Sequence, residues 1–129
     1  MTSLTPNRDA VNAALAQIRA QKSDDLGRDD ADGIGLRMML DATEAVNGGA
    51  ADMMDRRIED DSIWLLVGNA FAGALTGFLM TIAGGDAERA QELLPGALNS
   101  IDECAQLRLS MGLSAFTESR TPAQQEGSA

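Results

Sequence analysis

The side chains of this chain that could do chemistry are mostly carboxylates. Its 129 residues include 20 Asp and Glu, but no His, no Tyr and one Cys. His is the usual general base at neutral pH and a common metal ligand, so its absence excludes Ser-His-Asp and Cys-His catalysis and ordinary zinc sites within one chain. Carboxylates could still support divalent-metal or glycosidase-type chemistry. However, no pair of them falls on an apolar helix face, so we expect a protein that is not an enzyme and has no metal or cofactor.

The densest acidic segment is SDDLGRDDADGIG, which begins at Ser23. An EF-hand calcium loop needs an acidic residue at position one, Gly at position six and Glu at position twelve. When the segment is aligned on Gly33, Arg28 falls at position one and Met39 at position twelve. The match fails at both ends, so the sequence predicts a solvated linker whose carboxylates cap the next helix near Asp30.

The elements that position these groups are arranged around residues 62–85, which are 24 consecutive uncharged residues. A helix here is apolar on every side, which is typical of burial in protein or in lipid. Large apolar residues recur on one face: Trp64, Val67, Phe71, Leu75, Phe78 and Ile82. The opposite face is small or weakly polar: Asn69, Gly73, Thr76, Gly77, Met80 and Gly84.

Two environments are open for this helix. It is long enough to span a bilayer, and Gly73 and Gly77 form a GxxxG pair that lets helices approach closely in lipid. Acidic residues stand directly at its ends, however, and the amphipathic segments around it need an apolar partner. We therefore expect a buried helix in a soluble protein, with a single membrane span as the alternative. The flanking acidic residues are Asp60, Asp61 and Asp86.

The spacing of apolar residues, together with Pro and Gly, predicts an all-α fold. We expect a small four-helix bundle with a long central hydrophobic helix, forming a dimer. The predicted helices cover residues 6–22, 31–47, 50–83 and 86–112, within one domain over residues 1–118 that is followed by a disordered tail over residues 119–129. The residues expected to pack helices together, within or between copies, are Trp64, Phe71, Gly73, Leu75, Gly77, Phe78 and Met80.

Three local features carry further expectations. A helix over residues 50–83 would be about 51 Å long, so either it breaks around residues 60–62 or a second copy covers its ends. Arg56 and Asp60 have the i,i+4 spacing of an ion pair. In the last helix, Cys104 falls on the apolar side, which predicts a buried thiol, and Pro95 should kink or restart the helix.

The charge pattern indicates the kind of partner. With 10 Lys and Arg against 20 acidic residues, the chain is unsuited to nucleic-acid phosphates or anionic lipid. We expect a cytoplasmic regulatory protein, an inhibitor or adaptor encoded by a bacterium or mobile element, which binds a basic protein through carboxylates. The start of the chain lacks the pattern of a secretory signal. The expected partner-binding residues are Asp24, Asp25, Asp29, Asp30, Asp32, Glu59, Asp60 and Asp61.

Overall fold

The computed structural model of this chain describes residues 7–112, and these are all-α, with no strand among them. The predicted tail over residues 119–129 and the predicted helix start at Pro6 lie outside the described residues. The chain divides into two compact units, with described residues 7–63 in one and 64–112 in the other. The helices are α1 (Arg8–Gln21), α2 (Ser23–Leu26), α3 (Ala31–Asp55), α4 (Asp60–Ile82) and α5 (Ala87–Ser110).

In the first unit, α1 runs antiparallel to α3. Arg8, at the start of α1, lies 3.6 Å from Asp52 near the end of α3. Arg19, near the end of α1, lies 3.3 Å from Asp41 and 3.4 Å from Glu44, in the first half of α3. These ion pairs are largely solvated and contribute little stability individually. The apolar residues between the two helices form the buried core: Val11, Leu15, Ile18, Leu40 and Ala51, with Leu26 and Leu36 packed against it.

The predicted start of α3 agrees with the structure, whereas the predicted start at Pro6 lies outside the described residues and α1 begins at Arg8. The Asn7 side chain caps α1 by accepting a hydrogen bond from the Ala10 N–H at 2.8 Å. The Asp30 side chain caps α3 by accepting from the Gly33 N–H at 2.9 Å. Both follow the preference of helix N-termini for Asn and Asp, whose side chains satisfy N–H groups that have no partner within the helix.

The predicted helix end at residues 47–49 is wrong, because α3 continues to Asp55. Gly48 and Gly49 each cost roughly 1 kcal/mol in helix propensity. The helix nevertheless continues, because its contacts with α1 extend beyond these two residues. Gly48 is buried, and a Cβ atom at this position would overlap the Arg8 guanidinium. Ala51, one turn further on, is fully buried in the core. Gly48 therefore lies inside α3 beneath the movable end of the Arg8 side chain and does not terminate the helix.

The long helix over residues 50–83 breaks, and the break precedes the predicted position. α3 ends at Asp55 and α4 begins at Asp60. The Ile58 N–H donates to the Met53 carbonyl at 3.0 Å, and the Arg57 N–H donates to the Met54 carbonyl at 2.9 Å. This is the hydrogen-bond pattern of a Schellman cap.

The predicted ion pair between Arg56 and Asp60 is consequently wrong. The helix stops between the two residues, so they are no longer one turn apart on one face. The Arg56 guanidinium instead donates to the Asp52 carbonyl at 2.9 Å. It thereby adds a second hydrogen bond to a carbonyl group that already accepts from the Arg56 N–H at 3.3 Å.

In the second unit, the predicted stop and cap between α4 and α5 agree with the structure. The Gly85 N–H donates to the Met80 carbonyl at 2.8 Å, and Gly84 has a φ of +65°. Asp86 then caps α5 by accepting from the Glu88 N–H at 3.0 Å. α5 continues through Pro95 without restarting, although proline supplies no N–H to the preceding turn.

Arg57 provides a test of the break between α3 and α4. Its φ is 57°, a left-handed conformation that costs a residue with a Cβ atom about 1–2 kcal/mol. We expect Arg57→Gly to raise the free energy of unfolding by about 0.5–1 kcal/mol, because greater freedom in the unfolded chain offsets part of the gain. Urea unfolding followed by far-UV circular dichroism measures this. Arg56→Gly is the matched control: Arg56 has a φ of −90°, so this change should lower stability, and an equal effect of the two variants would contradict the assignment.

Candidate interaction surfaces

The first acidic group, Asp24, Asp25, Asp29, Asp30 and Asp32, surrounds the junction of α2 and α3. Arg28 lies among these carboxylates. Its guanidinium is 2.7 Å from Asp30, 3.8 Å from Asp32 and 3.9 Å from Asp25. Three of the five carboxylates in this group, Asp25, Asp30 and Asp32, therefore share one cation of their own chain.

Asp30 has a structural role at this junction. Its carboxylate accepts the Gly33 N–H and pairs with Arg28, and these two interactions lower the pKa of Asp30 below its usual range. Gly33 is required here because a Cβ atom would overlap the Arg28 carbonyl oxygen. The charged carboxylate of Asp30 is therefore already engaged in capping α3.

Arg37 holds the same junction from the other side. Its guanidinium donates to the Leu26 carbonyl at 2.5 Å and to the Arg28 carbonyl at 3.0 Å. Sequence reasoning missed the roles of both arginines. The available signal was the position of Arg28 as the one basic residue within a run of five Asp residues.

The second acidic group, Glu59, Asp60 and Asp61, lies at the far end of α3. α3 has 25 residues, so the two groups are separated by a helix about 37 Å long. Asp60 and Asp61 are in the first turn of α4, where the helix dipole favours negative charge. The structure therefore brings together the members of each acidic group but does not join the two groups into one surface.

The α4 helix is mostly uncovered in the single chain. Trp64 is 50% exposed, Phe71 58% and Phe78 62%. Along the whole helix only Ile63 and Leu79 are buried. One chain therefore leaves most of this helix uncovered, and its expected burial against protein, a second copy included, stays a prediction. The remaining predicted packing residues differ in exposure: Leu75 and Met80 are half-buried, whereas Gly73 and Gly77 are exposed, and a Cβ atom added at either glycine would have open space within 4 Å.

The apolar stripe of α5 is covered only beside the turn that follows α4. Ala90 is buried and Leu94 half-buried, whereas Leu98 is 49% and Ile101 53% exposed. Cys104 is exposed, so the prediction of a buried thiol is wrong for the single chain. The physical reason is that the stripe continues along α5 beyond the residues that α4 covers.

A shallow groove of about 210 Å³ separates the facing ends of α4 and α5. None of its lining side chains is titratable, so the groove offers no acid or base for catalysis. Met80 lies in this groove. The full lining is Thr76, Leu79, Met80, Ala87, Ala90, Gln91 and Leu94.

The described residues contain no cluster of three or more His, Cys, Asp or Glu side chains that could hold a metal ion. Within residues 7–112, α4 is the one helix whose length and composition would allow it to cross a membrane, a criterion that core helices of soluble proteins also meet. Comparison with protein families, with curated proteins and with solved structures finds no match.

Asp30 provides a test of the α2–α3 junction. Because the folded-state pKa of Asp30 is lowered from 3.8, its charged form stabilises the fold above about pH 4, and this contribution is lost as the pH falls through the lowered pKa. Asn can still cap α3, so Asp30→Asn keeps the cap, removes the charge and replaces the carboxylate oxygen that accepts from Arg28 with an NH2 group. We expect the variant to be less stable than the wild type at neutral pH, with the difference shrinking below pH 4.

Chemical denaturation at a series of pH values measures this difference. Asp29→Asn is the matched control, because it removes an adjacent exposed carboxylate for which no described residue supplies a hydrogen bond or ion pair. The control should not lose stability at neutral pH. A difference between wild type and Asp30→Asn that stays constant with pH would contradict the role of the Asp30 charge.

Proposed function

We propose that this chain is a non-enzymatic, acidic helical interaction protein that forms a homodimer and acts by binding another protein. The uncovered apolar surface of α4 and α5 carries this proposal. Among the described residues of the second unit, eleven large apolar side chains are 47–78% exposed. At roughly 100 Å² each they present on the order of 1,000 Å². These side chains lie on several sides of the two helices, so the sum covers more than one patch, whereas the largest contiguous apolar patch of an ordinary monomer is about 300–600 Å².

A second copy suits this surface by area and by charge. A standard protein interface buries about 800 Å² per partner, which the exposed side chains can supply. The two copies each carry a formal charge of −10 and would repel one another over most surfaces. α4 carries no charge between Ser62 and Ile82, so it offers a region where two copies can meet without bringing carboxylates together.

The acidic groups support binding of a basic partner. Asp24 and Asp29 are exposed, and no described residue supplies them with an ion pair, so they are available to arginines of another protein. Glu59 and Asp61 are exposed at the far end of α3. A protein with this distribution would occupy a basic surface by pairing carboxylates with guanidinium groups. A cytoplasmic inhibitor or adaptor, encoded by a bacterium or mobile element, fits this chemistry, without direct nucleic-acid binding.

One observation favours a second function, a single-span membrane accessory protein that uses residues 62–85. α4 is long and apolar enough to span a bilayer and is almost entirely uncovered in the single chain. The charges of the helix that follows α4 favour protein, rather than lipid, as the environment that covers α4. α5 carries Glu88, Glu92, Asp102 and Glu103 against Arg89 and Arg108, whereas helices that lie on membrane surfaces are rich in Lys and Arg.

The molar mass of the full chain in detergent-free buffer tests the proposed dimer against the membrane alternative. We expect a discrete particle of about twice the 13.5 kDa chain mass, because burial of the α4 surface should hold two copies together at micromolar concentration. Sedimentation equilibrium measures this mass independently of shape. A chain that remains dispersed only in detergent micelles would contradict the dimer and favour the membrane span.

Binding to an arginine-rich peptide tests the role of the acidic groups. Exposed charges are screened over about 10 Å at 0.1 M salt, so affinity should fall severalfold as salt rises from about 0.05 to about 0.5 M. The double variant Asp24→Asn with Asp29→Asn should bind more weakly than Asp9→Asn with Asp102→Asn, which removes the same net charge elsewhere. Fluorescence anisotropy of the labelled peptide reports both effects, and equal weakening by the two double variants would show that only net charge matters.

A further inference from the structure

The uncovered side of α4 carries a pattern that selects one way of pairing two copies. Six residues on this side recur at alternating spacings of four and three, which is the spacing of a coiled-coil interface, and all of them except the half-buried Leu75 are exposed. We call these residues the α4 seam. They are Trp64, Gly68, Phe71, Leu75, Phe78 and Ile82.

The α4 seam is available in the single chain. Trp64, Phe71, Phe78 and Ile82 are each 50–62% exposed, and Gly68 has no atom within 4 Å of the place where a Cβ atom would lie. Of the α4 residues that line the groove toward α5, Thr76 and Met80 lie a quarter of a turn or more from the centre of the seam, whereas Leu79 lies closer, about 60° from it. Most of the seam is therefore free for a second occupant, and its half-buried member Leu75 lies at the covered edge.

The sizes of the seam residues favour an antiparallel pair. A parallel pair places each residue against its own copy, so that Trp64 would meet Trp64 and Gly68 would meet Gly68. Oversized layers would then alternate with empty ones, and both overpacking and voids are destabilising. An antiparallel pair places every aromatic residue against a smaller one, and this arrangement packs with fewer gaps.

One register achieves this matching along the whole seam. In this register the twofold axis crosses the helix pair at the level of residue 73 along the helix. Trp64 then lies against Ile82 of the second copy, Phe71 against Leu75 and Phe78 against Gly68. Both ends of the seam are then covered. The antiparallel arrangement also opposes the two helix dipoles favourably.

We infer that two copies of this chain pair antiparallel along the α4 seam, with Phe78 of each copy seated over Gly68 of the other. This inference rests on the proposed dimer and specifies its geometry. In this arrangement Gly68 is the position that makes room for an aromatic ring. Gly73 and Gly77, although they form the GxxxG pair, lie off the seam.

Gly68→Leu tests this geometry, because the competing arrangements predict the opposite result. In the single chain the new side chain meets open space and improves helix propensity. In a parallel pair it would fill a void, and in lipid it would add apolar surface, so either arrangement should be strengthened. In the antiparallel register it collides with Phe78 of the second copy in two symmetry-related layers. We expect the dimer dissociation constant to rise at least about tenfold.

Two further variants complete the test by sedimentation velocity. Gly73→Leu makes the same chemical change off the seam and should leave the dissociation constant within about threefold of wild type. Adding Phe78→Ala to Gly68→Leu restores room in each layer and should recover most of the lost affinity. A Gly68→Leu dimer as tight as wild type, or one that Phe78→Ala fails to rescue, would overturn the register.

Disulfide trapping checks the same geometry without relying on affinity. In a Cys104→Ser background, chains carrying Trp64→Cys and chains carrying Ile82→Cys should cross-link when mixed and oxidised, but neither should cross-link alone. Linkage of Ile82→Cys chains to each other would indicate a parallel pair and overturn the inference. A wild-type chain that is monomeric in detergent-free buffer would instead remove the proposed dimer itself, so the two failures are distinguishable.

Discussion

The constraint on which this molecule depends is the removal of α4 from water. The chain has one segment of 24 consecutive uncharged residues, most of which lie in α4, and along α4 only Ile63 and Leu79 are buried. The hydrophobic effect is roughly proportional to the apolar area that is removed from water, so contacts among the described residues supply little of the stabilisation that burial of α4 could give. Self-association is therefore part of the proposed mode of action rather than an addition to a finished fold.

The first unit buries its apolar side chains between helices of its own chain. α1 and α3 bury Leu15, Leu40 and Ala51 almost completely, and the α2–α3 junction is held by side chains rather than by apolar area. Arg28 and Arg37 connect carboxylates and carbonyl groups that would otherwise repel one another or lack partners. A strongly acidic segment is in this way ordered by two cations. The unit has a defined surface on which the remaining free carboxylates can be presented.

The sequence was sufficient where structure is decided locally. Asp30 and Asp86 act as caps because of their own side chains, and Gly84 ends α4 because it tolerates a positive φ. Sequence reasoning failed where a distant contact changed the outcome. The pair Gly48-Gly49 predicts a helix end, yet α3 continues through it and Gly48 lies beneath the Arg8 guanidinium. Arg57 ends α3 in a conformation that usually favours glycine, so no residue type marked that break.

The candidate interaction surfaces also combine features that the local sequence predicts with features that depend on distant parts of the chain. The exposure of the acidic residues follows from their charge, but the separation of the two groups depends on the length of α3, which was predicted to be shorter. Cys104 was assigned to an apolar face correctly, and its exposure arises because that face extends past its cover. Periodicity identifies which side chains share a face, but it does not say whether the same chain supplies anything to place against them.

The position of Trp64 has a consequence for optical spectroscopy of this protein. It is the only tryptophan, and there is no tyrosine, so near-ultraviolet absorbance and intrinsic emission arise almost entirely from one half-exposed indole on α4. The core between α1 and α3 contributes no such chromophore. Tryptophan fluorescence therefore reports the surroundings of α4, whereas far-ultraviolet circular dichroism reports every helix. Melting curves from the two probes coincide only if both units unfold together.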